Sequence, residues 1–419
     1  MSETDVLLAS SKFYPEYSGS GFRADSLYRR LGADGTLYWQ VLCGGVEHRS
    51  RGQFIYDGIQ ACRICFDFPY SPEGGALGLP TKIVTKLNAI IEFFAAYRFI
   101  SKTKPKLIHA FGKGPVVAAA LYWSKLNNRP VILELCNRMS DPHVDVPIIS
   151  RIYRPSLSSR VAIVAISREL KELCQKFGYR DNVWHRPNPV RTSIGFIPIA
   201  GRRRIREKLG ICDRSSDKVL VYLAKFMPQK NQRFLLDVLS ALPEEYQLIL
   251  AGPVAEKGIN ATRDQDYLRG IERQIDIRPE LTGRVEIWPR FVEADEIFSI
   301  GDLYLFPAWN EALGTPMLEA LVAGLPVVAN EGEPAFVEWL ADCPTGALCP
   351  LEVEAWVSQI TRLVDVSEGQ RVEVSNHIKS LASERVIDRD YSCLIRSLLV
   401  SGAATRQVNV KQIFETCDL

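Results

Sequence analysis

The sequence predicts an α/β protein of two domains, each built on a parallel sheet. Three observations carry this. Short unbroken apolar runs, such as Val6–Ser10, Val131–Cys136, Val161–Ile166 and Lys218–Leu223, alternate with longer stretches of helical periodicity. Strands that are apolar on both faces and lie between helices belong to a parallel sheet covered on both sides. The 419 residues exceed one ordinary core and suit two of about 200 residues. A proline-dotted stretch near the middle, Trp184-His185-Arg186-Pro187-Asn188-Pro189-Val190, runs on to Gly201 and reads as the connection between them.

Composition narrows the function classes. With 47% hydrophobic and 24% charged residues the chain has ordinary soluble globular composition. A formal net charge of +2 gives no reason to expect a nucleic-acid partner. The start, Met-Ser-Glu-Thr-Asp, is polar and acidic, unlike a secretory signal, and no run approaches the roughly 18 apolar residues that span a bilayer. The ten cysteines are scattered, and only Cys62 and Cys65 form a C-x-x-C pair, on a stretch (Gln60–Phe68) that reads as a strand and would point them to opposite faces. With no second pair or His cluster to complete a metal site, buried free thiols and a reducing cytoplasm are expected.

The first domain opens with strand Val6–Ser10, a loop to Gly21, a helix carrying Leu27 and Leu31, and strand Tyr38–Leu42. Gly19-Ser20-Gly21-Phe22-Arg23-Ala24 matches G-x-G-x-x-A, the fingerprint of a dinucleotide site. Eight loop residues separate strand from glycine, however, and the second strand ends in Cys43-Gly44-Gly45 with no acid, which disfavours a nicotinamide or flavin cofactor. Thr81–Ile100 reads as a long helix with Ile83, Leu87, Ile90, Ile91, Phe94 and Tyr97 on one face and Lys82, Lys86, Arg98, Lys102, Lys104 and Lys106 around it. A core-facing helix with a solvated basic face is favoured; the alternative is a helix lying on an anionic bilayer. Leu107–Phe111, Val131–Cys136 and Val161–Ile166 follow as strands, with helices at Val116–Leu126 and Arg168–Phe177, the latter capped by Ser167. Ligands gather beyond the carboxyl ends of such strands, so His109, Lys113 and the cluster from Asn137 and Arg138 to His143 are the positions to watch. His109 by itself reads as a structural histidine. The basic run Gly201–Gly210 reads as a solvated surface helix.

The most informative stretch is 306–331. Strand Leu303–Phe306 opens into a loop bearing Glu311 and Gly314, Thr315 reads as an N-cap with Pro316 at the first helical position, and the helix stops at Gly324 before strand Val327–Ala329. A glycine loop feeding a helix start aims backbone N–H groups at one point, where anions bind. Glu311 precedes the helix and Glu319 lies about one turn inside it, so they reach different parts of one ligand. Acids beside an anion site suit hydroxyl groups, and phosphate with two hydroxyl-rich groups describes a sugar nucleotide. The alternative is that Glu319 complements the helix dipole and Glu311 is a solvated loop acid. Upstream, Lys218–Leu223 runs into a turn bracketed by Lys225 and Lys230. A diphosphate brings about two charges against the half charge of a helix end, so both lysines are assigned to phosphate. Asp264-Gln265-Asp266 and Asp388-Arg389-Asp390 have D-x-D spacing but fall in helical segments, so no metal is assigned.

Glu311, seven intervening residues and Glu319, followed by Ala320-Leu321-Val322-Ala323-Gly324-Leu325-Pro326-Val327-Val328, resemble the signature of retaining GT-B glycosyltransferases of the family 4, or group 1, type. The resemblance implies two Rossmann-like domains, 1–195 and 196–385, facing across a cleft, with closing helices at 386–419 packing back on the first. It implies a metal-independent transferase without a cofactor, taking a nucleoside-diphosphate sugar as donor and a hydroxyl of a saccharide or lipid-linked saccharide as acceptor. It implies a cytoplasmic enzyme of cell-surface glycan assembly with peripheral membrane contact. By resemblance, Glu311, Lys225 and Lys230 are catalytic. Gly19, Ser20 and Gly21, Leu313, Gly314 and Thr315, Glu319 and Arg290 bind the donor, and His109, Asn137, Arg138 and His143 face the acceptor. The chain departs from the family at Lys225 (usually Arg), Pro189 and Arg290 (usually Gly), and at Cys136-Asn137, where relatives place a His. A non-catalytic sugar-nucleotide-binding subunit and a dinucleotide oxidoreductase remain as readings from other classes.

Overall fold

A computed structural model describes residues 4–16, 19–33, 35–45, 51–65, 81–136, 160–191, 193–211, 218–256, 261–401 and 408–417. The chain forms two compact units, residues 1–186 with 388–419, and residues 187–387.

In the first unit the elements run β1 (Val6–Ser10), α1 (Gly19–Leu31), β2 (Trp39–Cys43), β3 (Gly52–Tyr56), β4 (Ile59–Arg63), α2 (Thr81–Thr103), β5 (Leu107–Phe111), α3 (Pro115–Leu126), β6 (Val131–Leu135), β7 (Val161–Ala165), α4 (Arg168–Lys176) and β8 (Val183–His185). Eight strands form one sheet in the order β3-β4-β2-β1-β5-β6-β7-β8, all parallel except the β3–β4 pair. Every residue of β1, β5, β6 and β7 is buried, as strands covered on both faces must be. The β3–β4 hairpin, which strand periodicity missed, turns on Asp57-Gly58, both at positive φ (44° and 80°) as a tight two-residue turn requires. Cys62 therefore lies within β4 and Cys65 beyond its end, not on one strand as expected.

Two further expectations change here. Helix α2 buries Phe93, Ala96 and Ile100 and leaves Leu87 and Phe94 exposed. Apolar residues run most of the way round this helix, so spacing alone does not choose its inner face. The Gly19–Gly21 stretch is not a loop but the first turn of α1.

The second unit contains α5 (Ile199–Leu209), β9 (Lys218–Leu223), α6 (Gln232–Ala241), β10 (Tyr246–Ala251), α7 (Ala261–Asp276), β11 (Val285–Trp288), α8 (Ala294–Phe298), β12 (Leu303–Phe306), α9 (Thr315–Ala323), β13 (Val327–Asn330), α10 (Pro334–Leu340), β14 (Gly346–Cys349), α11 (Val353–Val364) and α12 (Glu368–Ala382). Its parallel strands follow the order β11-β10-β9-β12-β13-β14, the doubly wound Rossmann order. Helix α5 ends as expected at Gly210, in the left-handed conformation (φ 67°). It is solvated on one face only: Arg203, Arg204, Glu207 and Lys208 are exposed, whereas Arg202 and Arg206 are 1% and 4% exposed. Arg202 donates to the carbonyls of Ile197 and Gly301 (2.9 and 2.6 Å) and to that of Ala323 at the end of α9. Arg206 reaches Asp302 Oδ2 at 2.5 Å. From α12, Arg371 donates to the carbonyls of Asp302 and Gly324, both at 3.2 Å. Guanidinium groups satisfy helix-end carbonyls that would otherwise be buried without donors.

Helix α13 (Glu384–Ser401) carries the chain back to the first unit and is followed by α14 (Val410–Cys417). Tyr391 packs edge-on against Trp184 (4.9 Å), and Arg30 of α1 pairs with Asp388 (2.9 Å). Helix α14 returns beside α13 and brings Cys417 to Cys393, Cα atoms 6.2 Å apart, as a disulfide where free thiols were expected. The pairing joins residues 24 apart in sequence, a proximity set by helix packing and not by spacing.

Candidate active site

In the second unit β9 lies between β10 and β12, and the chain leaves these central strands toward opposite edges of the sheet. Ligands of doubly wound sheets bind beyond the carboxyl ends at such a switch point. Two segments line it, residues 224–231 after β9 and 307–314 after β12. Close backbone approach shapes both. Gly252, after β10, has φ 142°, and a Cβ there would sit 2.1 Å from the Ala224 carbonyl oxygen. Gly314 has φ 80°, and a Cβ would meet rings of Phe306 and Phe336 at 2.7 and 2.8 Å. Gly314, and not Thr315, is consequently the N-cap of α9, with Thr315 and Pro316 as its first residues. The first N–H groups of this helix have no intrahelical acceptor, and Pro316 brings none.

The 307–314 loop is held from several sides. Glu333, 3% exposed, accepts the N–H groups of Asn310 (2.7 Å) and Glu311 (3.0 Å) on its two carboxylate oxygens. Asn330 donates to the Ala308 carbonyl at 3.1 Å. Gln229 donates its side-chain N–H to the Asn310 carbonyl (3.1 Å) and accepts Trp309 N–H on its own carbonyl (3.2 Å), which stitches the two segments together. Below them, the buried Tyr222 donates to the Lys230 carbonyl at 2.8 Å and Tyr304 to the Leu223 carbonyl at 3.2 Å.

On this frame Lys230 forms an ion pair with Glu311. Lys225 pairs with Asp264 Oδ2 at 3.0 Å, and Arg263 donates to Asp264 Oδ1 at 2.8 and 3.0 Å. Each of the two lysines assigned to phosphate faces a carboxylate, and the five groups together leave one unit of positive charge. Asp264, which the sequence places only in a helical segment, is fully buried in the first turn of α7. Its burial beside a lysine is the signal that spacing did not carry. Exposure still separates these groups from core: the side chains of Lys225, Lys230 and Glu311 are 39%, 20% and 14% exposed.

Glu319 points from α9 into a nearly closed environment, 7% exposed. Burial pushes its carboxyl up to about 7, with Arg191 working against the shift. Arg191 Nε lies 3.3 Å from Glu319, and its Nη1 also pairs with Glu293. Asn188 donates to Thr315 Oγ1 at 2.8 Å. Leu313 is buried beside Gly314. Arg290, after β11, is exposed, stacks over Trp288 (5.5 Å) and pairs with Glu296, not with Glu311 or Glu319. Glu333, Asp264, Arg191 and Asn188 were not singled out from sequence as members of this site.

The remaining candidates belong to the first unit. Gly19, Ser20 and Gly21 begin α1. His109 is fully buried in β5, its Nδ1 2.9 Å from Tyr28 Oη and its Nε2 3.0 Å from Glu134 Oε1. Glu134 also accepts from Arg186 (3.0 Å) and from Tyr391. Burial works against the Glu134 charge, yet Arg186 and His109 hold its carboxyl below the usual range; burial pushes the His109 imidazole down. Both ring nitrogens of His109 are engaged in this network. Lys113 is exposed, while Asn137, Arg138 and His143 lie outside the described residues. Among the described residues no group of three His, Cys, Asp or Glu side chains is arranged to hold a metal, and no helix is long and apolar enough to cross a membrane.

Residues 217–365, which contain this arrangement, match the family model "Glycosyl transferases group 1". Across 328 residues the chain is 24% identical to a sulfoquinovosyl transferase of Arabidopsis thaliana, covering 71% of this chain and 58% of that protein. It is 24% identical over 160 residues to the GDP-Man:Man(3)GlcNAc(2)-PP-Dol alpha-1,2-mannosyltransferase of Dictyostelium discoideum, covering 36% and 31%. The match thus spans less than two thirds of either relative's own length. The fold is similar to that of HepE from Anabaena, solved with UDP and glucose (TM-score 0.66, 17% identity, covering 94% and 100% of the two chains). It is also similar to sucrose-phosphate synthase from Thermosynechococcus elongatus (TM-score 0.72, 14% identity, 96% and 100%). The two doubly wound units and these solved structures give the chain the GT-B fold, and its residues 217–365 are similar to the group 1 glycosyltransferases.

Proposed function

We propose that this protein is a retaining, metal-independent glycosyltransferase. It would move a sugar from a nucleoside-diphosphate sugar to a hydroxyl of a saccharide or lipid-linked saccharide, at the cytoplasmic side of a membrane. The observation that carries this reading is the Lys230–Glu311 pair, held by Glu333 and Gln229 immediately before the Gly314 start of α9. A preformed site of this kind brings an acid, cations and a helix start together from two segments at neighbouring strand ends.

In this reading Glu311 accepts hydrogen bonds from the donor sugar's hydroxyls and Glu319 from the ribose, each worth about 1.5–3 kcal/mol. The N–H groups around Leu313, Gly314 and Thr315 face the distal phosphate. As the bond from the anomeric carbon to the phosphate oxygen breaks, the leaving diphosphate gains charge, which Lys225, Lys230 and the helix end stabilise without reorganising. The new bond from the acceptor oxygen forms on the same face, and the acceptor's proton passes to the departing phosphate, so no enzyme base is required. With Lys225 where an arginine is usual, this grip is a point charge and not a two-pronged fork. Arg290 is read as flanking the base.

Solved relatives hold UDP and a curated relative is named for GDP-Man, so UDP-, GDP- and ADP-sugars are the donors to test. One series should raise the melting temperature of the protein in proportion to the logarithm of ligand concentration. The same donor should release nucleoside diphosphate on incubation. Stabilisation without release or transfer under any acceptor tried would favour the non-catalytic subunit instead.

A further inference from the structure

The chain enters the second unit at Pro187 and leaves it after Ile387. The two segments are tied together there: Val190 and Ser383 form a parallel bridge, Val190 N–H donates to the Ala382 carbonyl at 2.7 Å, and Glu384 N–H donates to the Val190 carbonyl at 3.2 Å. Arg191 is the next residue, and its guanidinium divides between two acids, Nε toward Glu319 and Nη1 toward Glu293. Nothing in the reaction described above uses this arginine.

We propose that Arg191 is a positioning residue for the nucleoside site, holding Glu319 as an oriented carboxylate that accepts hydrogen bonds from the ribose hydroxyls, with Glu293 drawing part of that grip away. The inference rests on the reading of Glu319 as the ribose-binding acid.

The charged and titratable groups that face Glu319 are few. Arg191 favours its ionised form; Glu293, from the start of α8, and Glu384, beside the Val190–Ser383 bridge, oppose it. Tyr304, fully buried in β12, has its phenol raised well above the ordinary value by burial and stays neutral. Arg191 thus divides between two acids, Glu319 and Glu293, and the more buried of them is the one a nucleotide would meet. A protonated carboxyl is a weaker acceptor than a carboxylate. With burial holding Glu319 near 7, small changes in Arg191's allegiance change how much acceptor is present. Arg191 itself is raised above its ordinary value, because Glu319 and Glu293 outweigh the cost of its burial.

The test is calorimetric titration of the full chain with UDP, GDP and ADP between about pH 6 and pH 9, following the nucleotide that binds wild type best. Wild-type affinity should rise through neutral pH as Glu319 ionises. Arg191→Gln should move that midpoint up by about one unit and weaken binding near neutrality by roughly tenfold, the gap closing at alkaline pH. Glu293→Gln, at a half-exposed side chain, should move the midpoint down, and Arg191→Lys should lie between wild type and Arg191→Gln. Opposed shifts are not what a merely structural role gives. Superimposable profiles, a loss independent of pH, or shifts in one direction for both variants would overturn the proposal. Should Arg191→Gln not fold, Glu293→Gln and Arg191→Lys still decide it. If wild type binds no nucleoside diphosphate, the proposed function itself fails, before any variant is compared.

Discussion

Charged side chains gather at the carboxyl edges of both sheets, but in two different states. In the first unit His109, Glu134 and Arg186 are 0%, 3% and 6% exposed, and both ring nitrogens of His109 and both carboxylate oxygens of Glu134 are answered within the network or by Tyr28 and Tyr391. In the second, Lys225, Lys230 and Glu311 are also paired, yet their side chains keep 39%, 20% and 14% exposure. The difference separates a structural charge network from a poised one. A sealed network fixes helix α13 to the sheet through Tyr391. A partly solvated one exchanges its partners for a ligand's at small cost, since water already screens the pairs.

Four changes would break or sharpen that contrast. Glu311→Ala should lower transfer by about a hundredfold to a thousandfold while the melting temperature stays near that of wild type; wild-type-like turnover would remove Glu311 from the mechanism. Glu134→Ala should do the reverse. Leaving Arg186 buried without its acid should cost about 3–5 kcal/mol in urea unfolding, with nucleoside diphosphate binding retained by whatever remains folded.

Glu319→Gln addresses an acid that is buried and still assigned to a ligand. Its carboxyl is raised from the ordinary 4.5 to about 7 in the folded chain, so the folded state holds the proton more tightly than the unfolded one. The stabilisation this brings is complete below the unfolded value and is lost as pH rises through the folded one. Wild type should therefore lose on the order of 3 kcal/mol relative to Glu319→Gln between acid and mildly alkaline pH, seen as converging or crossing melting temperatures. Parallel curves would contradict it. The smallest effect is expected of Glu333→Gln, which replaces one of two carboxylate acceptors of the Glu311 loop by an amide. Stability should fall by about 1 kcal/mol and turnover several-fold, with donor KM little changed.

Much of the fold was legible because its signals are local. The apolar strands between helices announced parallel sheets, and the stretch from Phe306 to Glu331 carried strand, loop, helix and strand in sequence order. The Asp57-Gly58 hairpin was equally local but was overlooked. Other features depend on what folding brings together. The basic run before Gly210 reads as solvated because four arginines within five residues suit a surface; only the tertiary fold shows Arg202 and Arg206 turned toward the carbonyls after α8 and at the end of α9. Within the site, the glutamates and lysines were found because they share short segments with a helix start. Glu333 lies 22 residues from the Glu311 whose N–H it accepts, and Asp264 and Arg191 act from other elements altogether. The Thr315 cap was misplaced for a steric reason: the rings of Phe306 and Phe336 demand glycine where the helix begins.

The most direct test of the site in the second unit is titration of the full chain with UDP, GDP and ADP in the presence of EDTA, repeated for Lys225→Ala and Lys230→Ala. One nucleotide should bind wild type without added metal, and loss of either lysine should weaken it by roughly tenfold or more. Failure of all three to bind, or binding indifferent to both lysines, would contradict a nucleoside-diphosphate site at these strand ends.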